Sequence, residues 1–406
     1  MSRVLTMVLA GGEGKRLFPL TVERAKPAVP FGGRYRLIDF VLSNITNSGL
    51  LHVKVLTQYK SDSLIRHLSH AWSLSPLLGH YVDVVPAQMR TGREWFKGSA
   101  DAIWQNFNLI HAEKPDLVAI FNADHIYRMD VRQLILHHLE KDAELTIAGV
   151  PVPAETCSEF GILNPDEDGR VVSYVEKPAK AEPDSSGQVM ASMGNYIFNT
   201  KTLLDVVAAD AASDSNHDLA ADVVASIYKD RKVFVYDFRT NYVSGMIESD
   251  RGYWRDVGTI DAYFEAQMNL VSVTPAFSLY NDLWPIHAYP YMCPPAKFVF
   301  SDPANNRVGV AADSLVCEGA IISGGRVARS IISPKVRVNS YCSIDSAVLM
   351  DGVQVGRYCK IRRAIIDKNV VVPPGTEVGY DPAADAKKFF ISPGGVVVIP
   401  KGYVFA

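Results

Sequence analysis

A glycine-rich, basic segment near the start of the chain has the residue types of a phosphate-binding loop. Residues 8–17 read as a short buried strand followed by three glycines within four positions, Gly11, Gly12 and Gly14. Glycine backbones can adopt positive φ and bring N–H groups close to an anion. Lys15 and Arg16 add cationic donors, and a guanidinium suits phosphate oxygens because its N–H groups form a planar fork. The spacing matches neither a Walker A loop nor a dinucleotide-binding loop, and a glycine-rich surface turn is the alternative.

Two aspartates stand where a nucleotide-bound metal ion could be held. Asp124 follows the continuous apolar run 117–121, which predicts a strand covered on both faces. In open α/β sheets, ligands bind at the carboxyl ends of such strands. Asp256 lies between aromatic residues and a glycine, ahead of a predicted amphipathic helix over 260–271. The two carboxylates could share one Mg²⁺ with a triphosphate, whereas the alternative for Asp124 is that it caps a turn.

Two lysines that precede prolines are candidates for contacts with phosphate groups. Lys26 lies in a proline-rich extended segment, and Lys177 follows Glu176 at the end of a predicted strand. Proline restricts both its own backbone and that of the residue before it. We therefore expect Glu176 to accept hydrogen bonds from sugar hydroxyls and Lys177 to contact a phosphate. The alternative is that this pair is solvated surface.

The order of predicted elements divides the chain into two domains. Strands and helices alternate over 1–273, which predicts an α/β domain with a largely parallel sheet. The stretch 274–303 contains six prolines without a clear period and is interpreted as a linker. Beyond it, aliphatic residues recur in steps of five, six and six from Val310, Leu315 and Ile321 to Val378, so each cycle takes 17 residues. A repeat of three short strands per coil predicts a parallel β-helix over 304–406.

Composition and charge disfavour several classes of function. The 41 basic and 44 acidic residues nearly balance, so nothing favours nucleic-acid or membrane partners. No apolar run approaches the roughly 18 residues that span a bilayer and no apolar signal region is evident, so we expect a soluble, cytoplasmic protein. The five cysteines form no C-x-x-C pair, and Cys342 and Cys359 lie 17 apart and should stack inside the β-helix. His67 and His70 have no evident third metal ligand and are interpreted as structural or solvated histidines.

Taken in order, a set of short motifs resembles the ADP-glucose pyrophosphorylase family, that is, the glucose-1-phosphate adenylyltransferases. The motifs are LAGGEGKRL at 9–17, RAKPAV at 24–29, FGG at 31–33, PAQ at 86–88, ADHIY at 123–127, VEKP at 175–178, SMG at 192–194 and YWRDVG at 253–258. The resemblance covers essentially the whole chain. It implies a Rossmann-like nucleotidyltransferase domain with a mixed, mostly parallel sheet, followed by a left-handed parallel β-helix.

The resemblance also implies a reaction and its setting. ATP and α-D-glucose 1-phosphate would give ADP-glucose and pyrophosphate, the glucosyl-donor step of bacterial glycogen synthesis. Members of the family depend on Mg²⁺, are typically homotetramers and are regulated by phosphorylated metabolites. Glu23 stands where the type activated by fructose bisphosphate has lysine, so we expect this chain to respond to other effectors.

Individual roles follow from the same resemblance. It assigns ATP binding to Leu9, Ala10, Gly11, Gly12, Gly14, Lys15, Arg16, Gln88 and Gly98, with Gln88 reading adenine. It assigns catalysis to Arg16, Lys26 and Asp124, and metal binding to Asp124 and Asp256. It assigns glucose 1-phosphate binding to Phe96, Gly161, Glu176, Lys177 and Ser192, and an anionic effector site to Arg24 and Arg36. One departure is that the family often has Trp-Tyr where this chain has Trp95 and Phe96, so a hydroxyl contact is lost.

Three alternatives stand beside this interpretation. A non-catalytic regulatory subunit would keep the fold and lose site residues, but every matching charged position is present. A nucleotidyltransferase for another base or sugar is disfavoured by the motif at 86–88 and by the full-length match. A β-helix acyltransferase is disfavoured because no histidine lies within the repeat region to act as a general base.

Overall fold

In the computed structural model, residues 2–90 and 94–405 are described, and they form a nine-stranded sheet flanked by helices and a β-helix. The strands of the main sheet are β1 (Val4–Ala10), β2 (His52–Thr57), β3 (Tyr81–Pro86), β4 (Leu117–Asn122), β5 (Leu145–Pro153), β6 (Gly161–Pro165), β7 (Val171–Glu176), β8 (Gln188–Asn199) and β9 (Val233–Asp237). The α-helices of the described residues are α1 (Leu37–Asn47), α2 (Asp62–Ala71), α3 (Ser99–Trp104), α4 (Phe107–Glu113), α5 (Val131–Glu140), α6 (Thr200–Ala211), α7 (Ala225–Ile227), α8 (Ile260–Leu270) and α9 (Pro382–Asp385).

The main sheet is mixed, with a parallel half that carries the nucleotide-loop strand. Its order is β7-β6-β8-β4-β1-β2-β3, and β5 pairs with both β8 and β9. Strands β4, β1, β2 and β3 are mutually parallel, while β8 runs antiparallel to β4, β5 and β6. Because β1 and β4 are parallel neighbours, the glycine loop after β1 and Asp124 after β4 lie at the same edge of the sheet.

Both faces of the sheet are covered, which explains why its central strands are apolar throughout. Alternate residues of a strand point to opposite faces, and Val8 and Met7 of β1 belong to separate buried clusters. One cluster includes residues of α1, α2 and α5, and the other includes residues of α3, α4 and α6. The sheet is therefore a rigid support for the loops at its edge.

The second domain is a coil of short, mostly parallel strands, as the repeat predicts, with an antiparallel pair near each end. Its strands are Lys297–Val299, Ser301–Asp302, Arg307–Val308, Val310–Ala312, Leu315–Val316, Ile321–Ser323, Arg326–Ala328, Ile331–Ile332, Arg337–Val338, Ser343–Leu349, Gln354–Val355, Lys360–Ile366, Val371–Val372, Glu377–Val378, Phe390–Ile391 and Val397–Ile399. Ile344 pairs with Ile361 and Val355 with Val372, so neighbouring coils are offset by 17 residues. The strand Lys297–Val299 already pairs with Ile321–Ser323, so strand pairing begins within the stretch 274–303.

The first coil departs from the 17-residue register, and the prediction is wrong there by one position. Val310 pairs with Arg326 and Ile321 with Arg337. The next residues along, Ala311 and Ile322, pair with the inward residues Val327 and Val338. The offset is therefore 16 residues, and the inward residues are Ala311, Val316 and Ile322 rather than Val310, Leu315 and Ile321. Adjacent aliphatic residues such as Ile321 and Ile322 allow either register, so periodicity alone could not detect a shortened coil.

The two cysteines expected to stack in the β-helix are buried, and of the two histidines one is buried and the other is exposed. Cys342 and Cys359 are both buried inside the β-helix, and their thiols donate to the carbonyl oxygens of Gly356 and Pro373. His67 is buried and its Nε2 lies 2.6 Å from Asp39 Oδ1, while His70 is exposed. Among the described residues, no helix is long and apolar enough to cross a membrane.

The two domains meet along helix α8, which follows Asp256 in the chain. Ile260 and Phe264 of α8 pack in one buried cluster with Ile365 of the β-helix. Asp261, in the first turn of α8, accepts hydrogen bonds from the Ser392 hydroxyl and from the Gly394 backbone N–H at 3.0 Å. The β-helix thus contacts the start of α8, the helix that follows the predicted metal ligand Asp256 in the chain.

We expect Thr259→Ala to weaken the start of α8. The Thr259 hydroxyl oxygen accepts from the Ala262 backbone N–H at 3.2 Å and so caps the helix. Loss of such a cap costs about 1 kcal/mol in the free energy of unfolding. Urea denaturation followed by fluorescence measures the change, with Thr274→Ala at an exposed position as the control. An unchanged denaturation midpoint in Thr259→Ala would contradict the capping role.

Candidate active site

A cavity of about 640 Å³ lies beside the carboxyl ends of β1 and β4. We call it the site cavity. It is lined by the predicted residues Leu9, Ala10, Gly11, Gly12, Arg16, Lys26, Phe96, Gly98, Asp124, Gly161, Glu176, Lys177, Ser192 and Asp256. Gly14 and Lys15 line a second cavity that shares Gly12, Arg16, Lys26 and Asp124 with the first. The fold therefore brings together residues that are up to about 250 positions apart in the sequence.

Three predicted residues lie elsewhere in the structure. Gln88 is exposed, does not line the site cavity, and accepts a hydrogen bond from Arg90 at 2.8 Å. Residues 91–93, which follow it, lie outside the described part of the chain. Arg24 is buried against the β-helix, where its Nη2 lies 2.9 Å from Asp367 Oδ1. Arg36 donates from Nη1 to the Ser63 carbonyl oxygen at 2.7 Å.

The glycine loop is shaped by a close approach to the segment that carries Lys26. Gly14 has φ of +64°, and a Cβ there would lie 2.8 Å from the Lys26 Cβ. A side chain at this position would be strained by its backbone and blocked by Lys26. Gly12 has open space around it, so an anion can approach its backbone from the cavity side. The positive φ and the close contact explain why glycine stands at position 14.

The two predicted metal ligands are adjacent because of a two-stranded pairing outside the main sheet. The short strand Trp254–Asp256 runs antiparallel to His125–Tyr127, and Asp256 pairs directly with His125. Asp124 therefore lies next to Asp256 at the end of β4. The Nζ atom of Lys26 lies 2.8 Å from Asp124 Oδ2 and 2.9 Å from Asp256 Oδ1. Arg16 Nη2 lies 3.4 Å from the other carboxylate oxygen of Asp256.

The charges in this cluster stabilise one another. Burial would raise the pKa of Asp124, but the Lys26 ammonium, with contributions from His125 and Arg16, holds that pKa below its ordinary value. Burial would likewise lower the pKa of Lys26, but Asp124 and Asp256 outweigh it and raise that pKa. Asp124 and Lys26 are therefore both ionised at neutral pH, as a site for a charged nucleotide requires.

The residues present fit a divalent cation bound together with a nucleotide. Carboxylate oxygens are the ligands that hard cations prefer, and one ammonium nitrogen already lies within 3 Å of an oxygen from each aspartate. Among the described residues, no cluster of three or more His, Cys, Asp or Glu side chains could hold a metal ion by itself. The remaining ligands of a cation here would have to come from substrate phosphates and water.

The other end of the site cavity has the groups expected for a sugar phosphate. Glu176 ends β7, and Lys177 follows it with φ of +45° and its Nζ 3.2 Å from Glu176 Oε1. Gly161 of β6 pairs directly with Glu176. Ser192 lies where the pairing of β8 with β5 shifts register, and its hydroxyl accepts from the Gly194 N–H at 3.2 Å. A lysine ammonium and a glutamate carboxylate thus lie side by side at the site cavity.

Several lining residues were not among the predicted ones: Gln58, Asn122, His125, Tyr174, Tyr196, Asp218 and Trp254. Gln58 holds the Phe96 backbone, accepting from its N–H at 2.7 Å and donating to its carbonyl at 3.2 Å. Gln58 immediately follows β2, a parallel strand next to β1. Its place at the carboxyl end of a parallel strand is the sequence feature that could have identified it as a site residue. Tyr174 and Tyr196 lie inside strands with many apolar residues, where a tyrosine is expected to belong to the hydrophobic core, so the sequence did not indicate them as site residues.

The geometry defines a nucleotidyltransferase, and comparisons with known proteins agree. A family model described as nucleotidyl transferase matches residues 5–273, and one described as the GlmU-like C-terminal hexapeptide matches residues 294–399. Glucose-1-phosphate adenylyltransferases from Anaeromyxobacter sp. (strain Fw109-5) and Parafrankia sp. (strain EAN1pec) are 55% and 53% identical to the chain. These alignments cover 99% and 100% of the chain, and 98% and 99% of the relatives. The chain belongs to the glucose-1-phosphate adenylyltransferase family, which confirms the family predicted from the motifs.

Proposed function

We propose that the chain transfers the adenylyl group of ATP to α-D-glucose 1-phosphate, which gives ADP-glucose and pyrophosphate for glycogen synthesis. The observation that supports this most strongly is that one cavity joins the glycine loop and two carboxylates to the Glu176–Lys177 pair. The first part suits a nucleoside triphosphate, and the second suits a phosphorylated sugar. The family to which the chain belongs supports the same reaction.

The proposed reaction requires positioning and charge neutralisation more than proton transfer. A phosphate oxygen of glucose 1-phosphate is anionic near neutral pH, so it can attack the α-phosphorus of ATP without a general base. One P–O bond forms to this oxygen while the bond to the bridging α,β-oxygen breaks, and pyrophosphate leaves with the electron pair. The glycine loop and Arg16 would hold the triphosphate, and Lys26 would stabilise the charge that develops.

We propose Mg²⁺ as the cofactor, held by Asp124 and Asp256 together with the triphosphate. When bound, it would neutralise phosphate charge and fix the geometry of the reacting groups. In the structure, the Lys26 ammonium contacts both carboxylates. Lys26 therefore lies directly beside the proposed cation site.

We assign adenine recognition to Gln88, on the family pattern. Gln58 is the glutamine that lines the site cavity, but both its side-chain oxygen and its nitrogen are engaged by the Phe96 backbone. The Gln88 amide contacts only another exposed side chain among the described residues, that of Arg90. The Gln88 amide is therefore available to hydrogen-bond with a base, whereas the Gln58 amide is already engaged.

We also propose a homotetramer regulated by phosphorylated metabolites, in the cytoplasm where ATP and sugar phosphates occur. Arg24 and Arg36 are the candidate effector residues. Arg24 contacts Asp367 of the β-helix, and its Nη1 has no hydrogen-bond partner among the described residues. An anion that bound Arg24 would therefore act at a contact between the two domains.

We expect fructose bisphosphate to activate the enzyme weakly or not at all. Glu23 is exposed beside Arg24 and places a negative charge near the proposed effector site, which disfavours a doubly phosphorylated ligand. Other phosphorylated sugars or glycolytic acids should activate more strongly. Initial rates of ADP-glucose formation with each metabolite measure this, and Glu23→Lys should increase the response to fructose bisphosphate. Strong activation of the unaltered enzyme at micromolar fructose bisphosphate would refute the prediction.

A substrate panel tests the proposed function. The purified chain with Mg²⁺ should form a nucleotide sugar fastest from ATP and glucose 1-phosphate, when each of five nucleoside triphosphates is combined with each of several sugar 1-phosphates. Anion-exchange chromatography separates the products. Faster synthesis with UTP, GTP or dTTP, or with a different sugar phosphate, would favour the alternative specificity.

A further inference from the structure

Tyr174 makes a hydrogen bond to a predicted substrate ligand that no sequence motif indicated. It lies on β7 two residues before Glu176, so both side chains point to the same side of the strand. The Tyr174 hydroxyl donates to Glu176 Oε2 at 2.5 Å, and both residues line the site cavity. Burial raises the pKa of Tyr174, so its hydroxyl keeps its proton and remains a donor at neutral pH.

The neighbouring strand is built around this pair. Gly161 of β6 lies opposite Glu176, and a Cβ at Gly161 would lie 2.2 Å from the Tyr174 hydroxyl oxygen and 2.6 Å from Glu176 Oε2. Any residue other than glycine would therefore force the two groups apart. Gly161 was predicted as a glucose 1-phosphate ligand, and the structure gives it a second reason to be glycine.

The hydrogen bond also limits how closely Glu176 can pair with Lys177, its neighbour in the sequence. Lys177 Nζ lies 3.2 Å from Glu176 Oε1, and the Lys177 side chain is 59% exposed. If Glu176 could rotate freely, its two oxygens could both turn to Lys177, because a bare carboxylate next to an ammonium gains from a closer ion pair. With Oε2 bound to Tyr174, only Oε1 faces Lys177 and the cavity.

We propose that Tyr174 is a positioning residue for glucose 1-phosphate, whose hydroxyl holds Glu176 toward the sugar and leaves Lys177 for the phosphate. This inference rests on the proposed function, because it assumes that Glu176 accepts from a sugar hydroxyl. Tyr174 does not need to contact the substrate itself. It fixes the carboxylate before the sugar arrives, so that less conformational freedom is lost on binding.

The first test is Tyr174→Phe, which removes the hydroxyl and keeps the buried ring. We expect the KM for glucose 1-phosphate to rise about fivefold, which is less than the full loss of a hydrogen bond to a charged group, because Tyr174 acts through Glu176 and does not itself bind the sugar. The KM for ATP, kcat and the melting temperature should stay close to those of the unaltered enzyme. The matched control is Tyr81→Phe, because Tyr81 makes the same kind of bond to Glu113 at 2.7 Å outside the site cavity. It should leave both KM values unchanged.

The second test separates positioning from a general structural role. In a double-mutant cycle, Glu176→Gln should raise the KM for glucose 1-phosphate less in Tyr174→Phe than in the unaltered enzyme, since both changes act on one carboxylate. A series of deoxyglucose 1-phosphates, each lacking a different hydroxyl, then identifies the hydroxyl that donates to Glu176. Tyr174→Phe should weaken discrimination at that hydroxyl and not at the others.

The outcomes distinguish this inference from the proposed function. If the unaltered enzyme makes no ADP-glucose, the proposed function fails. If it does, the inference alone is overturned by strictly additive effects in the cycle, by an unchanged KM in Tyr174→Phe, or by equal increases of the KM for both substrates.

Discussion

Asp124→Asn and Asp256→Asn are each expected to lower kcat by at least about a hundredfold while the protein stays folded. Each substitution keeps the shape of the side chain and removes one negative charge of the proposed Mg²⁺ site. The Lys26 ammonium contacts both carboxylates, so in either variant it retains one charged partner. The buried lysine is then not left alone, which is why we expect the loss to fall on turnover rather than on folding.

Steady-state kinetics at saturating ATP and glucose 1-phosphate measure this effect, and thermal unfolding checks the fold. The matched control is Asp83→Asn, because Asp83 also contacts a lysine, Lys54, at 2.7 Å but does not line the site cavity. That variant should keep nearly normal turnover. Near-normal kcat in both site variants, with unchanged melting curves, would remove Asp124 and Asp256 from the proposed metal site.

Lys177→Ala is expected to raise the KM for glucose 1-phosphate about tenfold to a hundredfold. A hydrogen bond to a charged group contributes roughly 1.5 to 3 kcal/mol, and about 1.4 kcal/mol corresponds to a factor of ten. Lys177 lines the site cavity beside Glu176. It follows the end of β7, and its backbone has the left-handed conformation. The KM for ATP should change only a few-fold, because the glycine loop that would hold the triphosphate is a separate element.

Kinetics with each substrate varied in turn decide whether Lys177 binds the sugar phosphate. Lys180→Ala is the control, since Lys180 is an exposed lysine three positions further along the same segment. Equal increases of both KM values in Lys177→Ala, or no increase in either, would show that Lys177 is ordinary surface.

The parts of the fold that the sequence predicts well are those with a strong local pattern. The apolar run of β4 and the glycine loop after β1 place Asp124 and the loop at one edge, since parallel neighbouring strands end together. The 17-residue period likewise predicts the pairing of Ile344 with Ile361. In each case the sequence feature that predicts the structure is either a short segment of a few residues or an interval that repeats along the chain.

The parts that the sequence predicts poorly depend on contacts between distant residues. The antiparallel strand β8 next to β4 makes the sheet mixed, and nothing in its apolar pattern reveals its direction. The bond between Tyr174 and Glu176 depends on the absence of a side chain at Gly161 on another strand. The Lys26 contact with both aspartates depends on the pairing of Asp256 with His125, which joins segments more than 100 residues apart.

The most direct test of the account is the fate of labelled phosphate in two parallel reactions. The enzyme is incubated with Mg²⁺, glucose 1-phosphate and ATP labelled either at the α-phosphate or at the γ-phosphate, and the products are separated by chromatography. The account predicts that the α-label appears in ADP-glucose and the γ-label in an equal amount of pyrophosphate, with no product when the sugar phosphate is left out. Transfer of the γ-label to the sugar, or release of labelled AMP without a nucleotide sugar, would contradict adenylyl transfer.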